Sequence, residues 1–228
     1  LVDADYSQIE LRVLAHISGD EKFIDAFIKN EDIHTRTASE VFNVPLDEVT
    51  SLMRGRAKAV NFGIVYGISD FGLSRDLKIT KKEAKVYIES YFARYPKVKQ
   101  YMDDIVAQAK EQGFITTVLN RRRYVPEILS RNAIQRGIGE RIAMNTPIQG
   151  SAADIIKIAM IKVYDELKEK KLQSRLILQV HDELIVETHK SEIEEVKQIV
   201  KKNMQEAMDL KVPLTAEVST GNNWFDAK

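Results

Sequence analysis

Apolar positions recur along this chain with two different periods, and the change of period divides it. Near both ends they alternate or run together briefly, over residues 1–6 (LVDADY), 176–187 (LILQVHDELIVE) and 214–220. Such runs predict strands. Between them the spacing is three and four, which predicts helices. Residues 7–17 place Ile9, Val13, Leu14 and Ile17 on one face, with Gly19 as the stop. Further helices are predicted over 21–29, 33–42, 47–66 and 80–95, the last opening on a capping box, Thr80 with Glu83, and stopping before Pro96. Another runs to about Gln112 and closes at Gly113, and a small hairpin follows, 114–119 with 123–125, tipped by Asn120 and Arg121. A long helical stretch, 132–170, is expected to be interrupted and bent around 146–150, because Pro147 removes a hydrogen bond. Residues 191–208 predict a last helix. Strands at both ends around a block of helices give an α+β fold: a small sheet with an all-helical insertion.

Composition narrows the chemistry. A chain of 228 residues can bury one large core or two modest ones. Its 34 basic and 34 acidic residues cancel, so net charge names no partner, but the basic residues cluster. The absence of cysteine excludes disulfides and thiolate metal sites and fits a reducing, cytoplasmic setting. Four histidines without paired helical spacing argue against zinc. Apolar runs are short and broken by lysine, as in IIKIAMIKV, so no membrane span is expected. The chain opens on Leu1 in mid-strand, which predicts that it was cut from something longer.

Two stretches carry candidate chemistry. At 176–187 two apolar arms flank His181 and Asp182, with Glu183 next, which predicts a hairpin lifting a carboxylate from a greasy sheet. A solvated surface turn is the plainer reading. A second carboxylate, Asp5, ends the first predicted strand. If the two strands are neighbours, the acids share an edge, and carboxylates within about 4 Å repel unless cations sit between them. Oxygen-only ligands favour magnesium. On the helix ending near Tyr66, Arg54, Lys58, Phe62 and Tyr66 recur every fourth residue and form one stripe. Its cations lie in the N-terminal half, where the helix dipole disfavours them unless an anion binds there. A triphosphate suits that half, and a base could stack on the aromatic half. A charged surface face with two core aromatics remains the alternative.

The segments DYSQIELR (5–12), Arg54-x3-Lys58-x3-Phe62-x3-Tyr66-Gly67, Arg141-x3-Asn145-x3-Gln149 and QVHDELI (179–185) resemble, in order, four motifs of family A DNA polymerases. The resemblance implies a palm with a small antiparallel sheet (1–19 and 135–228) and helical fingers (20–134). It implies template-directed DNA synthesis on primer–template DNA from deoxynucleoside triphosphates, with two magnesium ions, by a monomer acting in replication and repair. Asp5 and Asp182 would be the metal-binding aspartates, with the Tyr6 carbonyl as a further ligand and Glu183 as a helper. Glu10 would be the steric gate against a ribose 2′-hydroxyl. Arg54, Lys58 and His34 would contact the triphosphate, Lys58 also as an acid for the departing pyrophosphate. Gln8, Phe62 and Tyr66 would line the nucleotide pocket. Arg141, Asn145, Gln149 and His181 would face the primer–template minor groove, whose acceptors are shared by all base pairs. Arg121, Arg122 and Arg123 suit template phosphates, or else form a solvated charged loop. A single-subunit RNA polymerase and a non-catalytic nucleic-acid-binding module are the rival functions.

Overall fold

The computed structural model describes residues 1–227, which fall into two compact units, 1–9 with 151–227 and 10–150. Strands from both ends of the chain make up one unit. β1 (Val2–Tyr6), β4 (Arg175–Val180), β5 (Glu183–Glu187) and β6 (Ala216–Thr220) form an antiparallel sheet in the order β4-β5-β1-β6. The first strand is therefore central, flanked by partners from the far end of the sequence. Val2 pairs with Val186 and Ala4 with Leu184, all four fully buried. Helix α9 (Ile193–Gln205) packs on β1 and β6 through Val196, Ile199, Val200 and Met204. Asp3 is buried as well, so both faces of β1 are covered there, whereas Asp5 at its end is exposed. The edge strand β4 carries a bulge between Leu176 and Leu178, a common way of discouraging further strand pairing.

The second unit holds α1 (Ile9–Ser18, but for its first residue), α2 (Glu21–Ile28), α3 (Ile33–Phe42), α4 (Ser51–Val65), α5 (Asp70–Leu77), α6 (Lys81–Arg94) and α7 (Pro96–Gln112). It also holds the hairpin of β2 (Phe114–Thr116) and β3 (Arg122–Tyr124), and α8 (Ala133–Glu169) as far as Gly150. Helix α4 lies against α3 and α5, burying Ala57, Val60, Ile64 and Val65. Its ends follow from local chemistry. Thr50 accepts a hydrogen bond from the Met53 amide at the start, and Gly67, at φ 64°, closes the other end with a paired set of bonds, Ile68 to Gly63 and Gly67 to Ile64.

The α+β class holds, a small antiparallel sheet with helices inserted between its strands. Several boundaries differ from the sequence reading. The helix expected over 47–66 is a 3-10 turn at Leu46–Glu48 followed by α4, because Thr50 caps a fresh start. Helix α5 was not foreseen: it buries only Leu73, so it shows little periodicity. The hairpin strands are shorter, since Asn120, at φ 60°, and Arg121 take a longer turn. The interruption at Pro147 does not occur. Helix α8 continues through it, with the preceding turn tied by Thr146, whose hydroxyl donates to the Ile142 carbonyl at 2.7 Å. One absent donor is a cost that a 37-residue helix absorbs.

Candidate functional site

The acids predicted to act together arrive on neighbouring rungs of the sheet. Asp5 stands directly opposite Glu183, and beyond them the Tyr6 amide donates to the Asp182 carbonyl at 3.2 Å. Directly opposed residues of an antiparallel pair project to the same face. Asp5 and Glu183 therefore share one, with Glu217 on the other side of Asp5. His181 and Asp182 form the two-residue turn, with His181 left-handed at φ 52° and its carbonyl accepting from Gln179 Nε2 at 2.7 Å. Gln8, where β1 turns into α1, is also left-handed at φ 57°. Non-glycine residues held in this region collect at functional sites. Burial is graded: Glu183 is buried, Asp182 partly so, and Asp5 open. The Tyr6 hydroxyl donates to the Met204 carbonyl at 2.6 Å, and burial pushes its pKa up. That anchors the side chain in the core and leaves the main chain beside Asp5 at the end of β1.

Among the described residues no group of three or more His, Asp or Glu side chains is arranged to hold a metal ion. The expected set contains two aspartates and a main-chain carbonyl. Magnesium is commonly held by one or two carboxylates with substrate phosphates completing its shell, so the oxygen donors expected here would fit that ion.

In the helical unit, Arg54 and Lys58 are exposed on α4 and Phe62 is half-buried. The rings of Phe62 and Tyr66 are stacked, 6.4 Å apart at 23°, and His34 lies 5.8 Å from Phe62. Tyr66 donates its hydroxyl to Glu10 Oε2 at 2.9 Å, joining the end of α4 to the first turn of α1. Arg54 donates from Nε to Asp32 Oδ2 at 2.6 Å. Asp32 also caps α3, accepting from the His34 and Thr35 amides. Its partial burial would raise the carboxyl pKa, but the bonds from Arg54, Thr35 and His34 outweigh that and hold it at about 2. His34 is only 2 % exposed. Burial pushes its pKa down to about 4, with Arg54 and Lys58 opposing its charge and Asp32 favouring it. His34 is thus a buried, neutral ring in the first turn of α3.

Arg141, Asn145 and Gln149 follow one another at four-residue spacing on α8, with Arg141 and Gln149 exposed. Asn145 Oδ1 is buried and has no hydrogen-bond partner among the described residues. The three hairpin arginines each have a contact within their own unit. Arg121 reaches the Gly150 carbonyl, Arg123 donates to Thr146 Oγ1 at 3.0 Å, and Arg122 lies 4.0 Å over the Phe114 ring. They dock the hairpin while staying exposed.

Sequence reasoning missed Asp32, Thr37 and Asn61. Asp32 had a signal, an acidic residue just before a helical run. Asn61 had a fainter one, an amide on the otherwise apolar face of α4, where it is fully buried.

Comparison with known proteins bears on these arrangements. The sequence profile described as DNA polymerase family A matches residues 1–226. A DNA polymerase I from Caldicellulosiruptor bescii is 60% identical over 228 residues, all of this chain and 27% of that protein. One from Bacillus subtilis is 60% identical over 225 residues, 99% of this chain and 26% of that protein. The polymerase domain of Pol1 from M. smegmatis, solved in complex with DNA primer-template and dNTP, superposes with a TM-score of 0.95 at 50% identity, over 99% of this chain and 40% of that one. The chain thus spans about a quarter of the length of the relatives it matches.

Proposed function

The chain belongs to DNA polymerase family A, and from that premise we propose that it forms the nucleotide-adding part of a template-directed DNA polymerase. In this reading segments 1–19 and 135–228 are palm and 20–134 are fingers. The observation that carries the proposal is the pairing of β1 with β5, which sets Asp5 opposite Glu183 and bonds Tyr6 to Asp182. Two strands far apart in sequence converge where the chemistry needs acids.

The primer 3′-hydroxyl gives up its proton to solvent and attacks the α-phosphorus of a deoxynucleoside triphosphate; the bond to the bridging oxygen breaks and pyrophosphate leaves. Asp5, Asp182 and the Tyr6 carbonyl would hold two magnesium ions, which would supply positive charge favouring the ionised hydroxyl and the leaving group. Glu183 assists beside them. Arg54 and Lys58 on α4 and His34 on α3 contact the triphosphate, and Lys58 hands a proton to the departing pyrophosphate. Arg54 keeps its terminal nitrogens for phosphate while Nε rests on Asp32. Phe62, with Gln8, packs against the nucleotide, and Tyr66 borders the nascent pair. Glu10 excludes the 2′-hydroxyl. Arg141, Asn145, Gln149 and His181 contact the minor groove of the primer–template, where their N–H groups donate to acceptors that all base pairs share. Arg121, Arg122 and Arg123 contact template phosphates with donors their internal contacts leave over. The host polymerase acts as a monomer in replication and repair in the bacterial cytosol. Primer extension tests the proposal: Asp182→Asn should reduce nucleotide addition by about 100-fold or more. Equal extension by the variant would refute it.

A further inference from the structure

Among the described residues His34 is held through one ring nitrogen, and its partner is itself held. Asn61 Nδ2 lies 2.9 Å from His34 Nδ1, and Asn61 Oδ1 accepts from the Thr37 hydroxyl at 3.1 Å. All three residues are buried: Asn61 at 0 %, Thr37 at 1 % and His34 at 2 % exposure. Building on the α3–α4 triphosphate site proposed above, we propose that Asn61, oriented by Thr37, is a positioning residue that commits His34 to the tautomer with its proton on Nε2, so that the ring meets a nucleotide phosphate oxygen as a neutral hydrogen-bond donor.

The chemistry is restrictive. An amide NH2 only donates, so Nδ1 must accept, and the one proton of a neutral imidazole then sits on Nε2. As placed, the Thr37 hydroxyl donates to the carbonyl end of the amide and the NH2 faces His34. A reversed amide would take the proton to Nδ1 and turn a lone pair on Nε2 towards the anion, which repels it. Fixing the tautomer in advance spares the binding step that choice. Neutrality also fits the surroundings. Burial and the cations Arg54 and Lys58 disfavour a charged ring, and Asp32 alone favours one. The positive charge for a triphosphate comes from Arg54 and Lys58, while His34 contributes direction.

The test is nitrogen-15 NMR of labelled histidine in the full chain, which has four histidines, with His34→Gln to assign the signal. The expected result is a protonated Nε2 and a bare Nδ1, unchanged between about pH 5.5 and 8. Thr37→Val should leave a mixture of tautomers. Asn61→Asp should move the proton to Nδ1 and bring the titration of His34 into that pH range. A proton on Nδ1 in the unaltered chain, or a single unchanged tautomer in Thr37→Val, overturns the relay even if Asn61 variants fold poorly. Adding a deoxynucleoside triphosphate with magnesium should shift the His34 Nε2 signal. No shift, with the tautomer as expected, overturns the nucleotide role and leaves the relay standing.

Discussion

In the proposed reading a single contact turns Glu10 into a filter. A free glutamate samples several rotamers, and a carboxylate that wanders cannot reject one hydroxyl; ordering such a side chain costs about 1–2 kcal/mol. The bond from Tyr66 at 2.9 Å holds it in one place. Removing that bond by Tyr66→Phe should raise ribonucleotide incorporation by about 10-fold, the scale of one hydrogen bond, and Glu10→Ala should raise it further. Single-nucleotide extension with matched ribo- and deoxynucleotides measures both, and undiminished discrimination in both variants removes Glu10 from this role. Which residues are acids and where they fall in the motifs was legible from the letters. That Tyr66 bonds Glu10, or Asn61 bonds His34, was not, because such partners lie on different helices and leave no periodic trace.

Among the elements, α8 carries the sharpest contrast. Gly137 and Gly139 are both in its first turns, yet a Cβ at Gly137 meets nothing within 4 Å, whereas one at Gly139 falls 2.4 Å from the Ile128 nitrogen. The backbone of the 3-10 turn Pro126–Leu129 rests directly on the helix there, over a core of Ile105, Ile115, Val125, Ile128 and Ala143. Gly137→Ala should therefore stabilise the chain by roughly 0.5–1 kcal/mol, since glycine is a poor helix former. Gly139→Ala should destabilise it by about 1–3 kcal/mol through overpacking against main chain. Thermal melts of the two variants should shift in opposite directions, and shifts of the same sign would contradict the close approach. Helix existence and type were readable from period and caps, as at Thr80 and Glu83, where both reciprocal bonds of the capping box form. The fate of Pro147 was not, because helix continuation depends on what ties the neighbouring turns.

For the molecule as a whole, the buried His34 links folding to acidity. Its folded pKa, about 4, lies below the ordinary histidine value near 6.5. As pH falls through this window the unfolded chain takes up a proton that the native ring refuses, so stability declines from about pH 6.5 to about 4 and this group adds nothing further below that. Asp32, held at about 2, contributes stability above the ordinary carboxylate range near 3.9 and loses it as pH falls towards 2. Denaturant titrations at a series of pH values should show the first decline weakened in His34→Gln. An unchanged slope would mean that His34 is not the group responsible.

By itself the sequence determined the two periods, the cap at Thr80, the stops at Gly19 and Gly113, the tight turn at His181 and Asp182, and the motif order that marks the family, because each is written in residues close together along the chain. Tertiary structure alone decided that β1 enters the sheet between β5 and β6, so that Asp5 faces Glu183. It also decided that His34 is buried behind Asn61. Strand register follows from matching apolar faces, and a buried hydrogen bond from what two helices leave unsatisfied; neither is a property of any one stretch of chain.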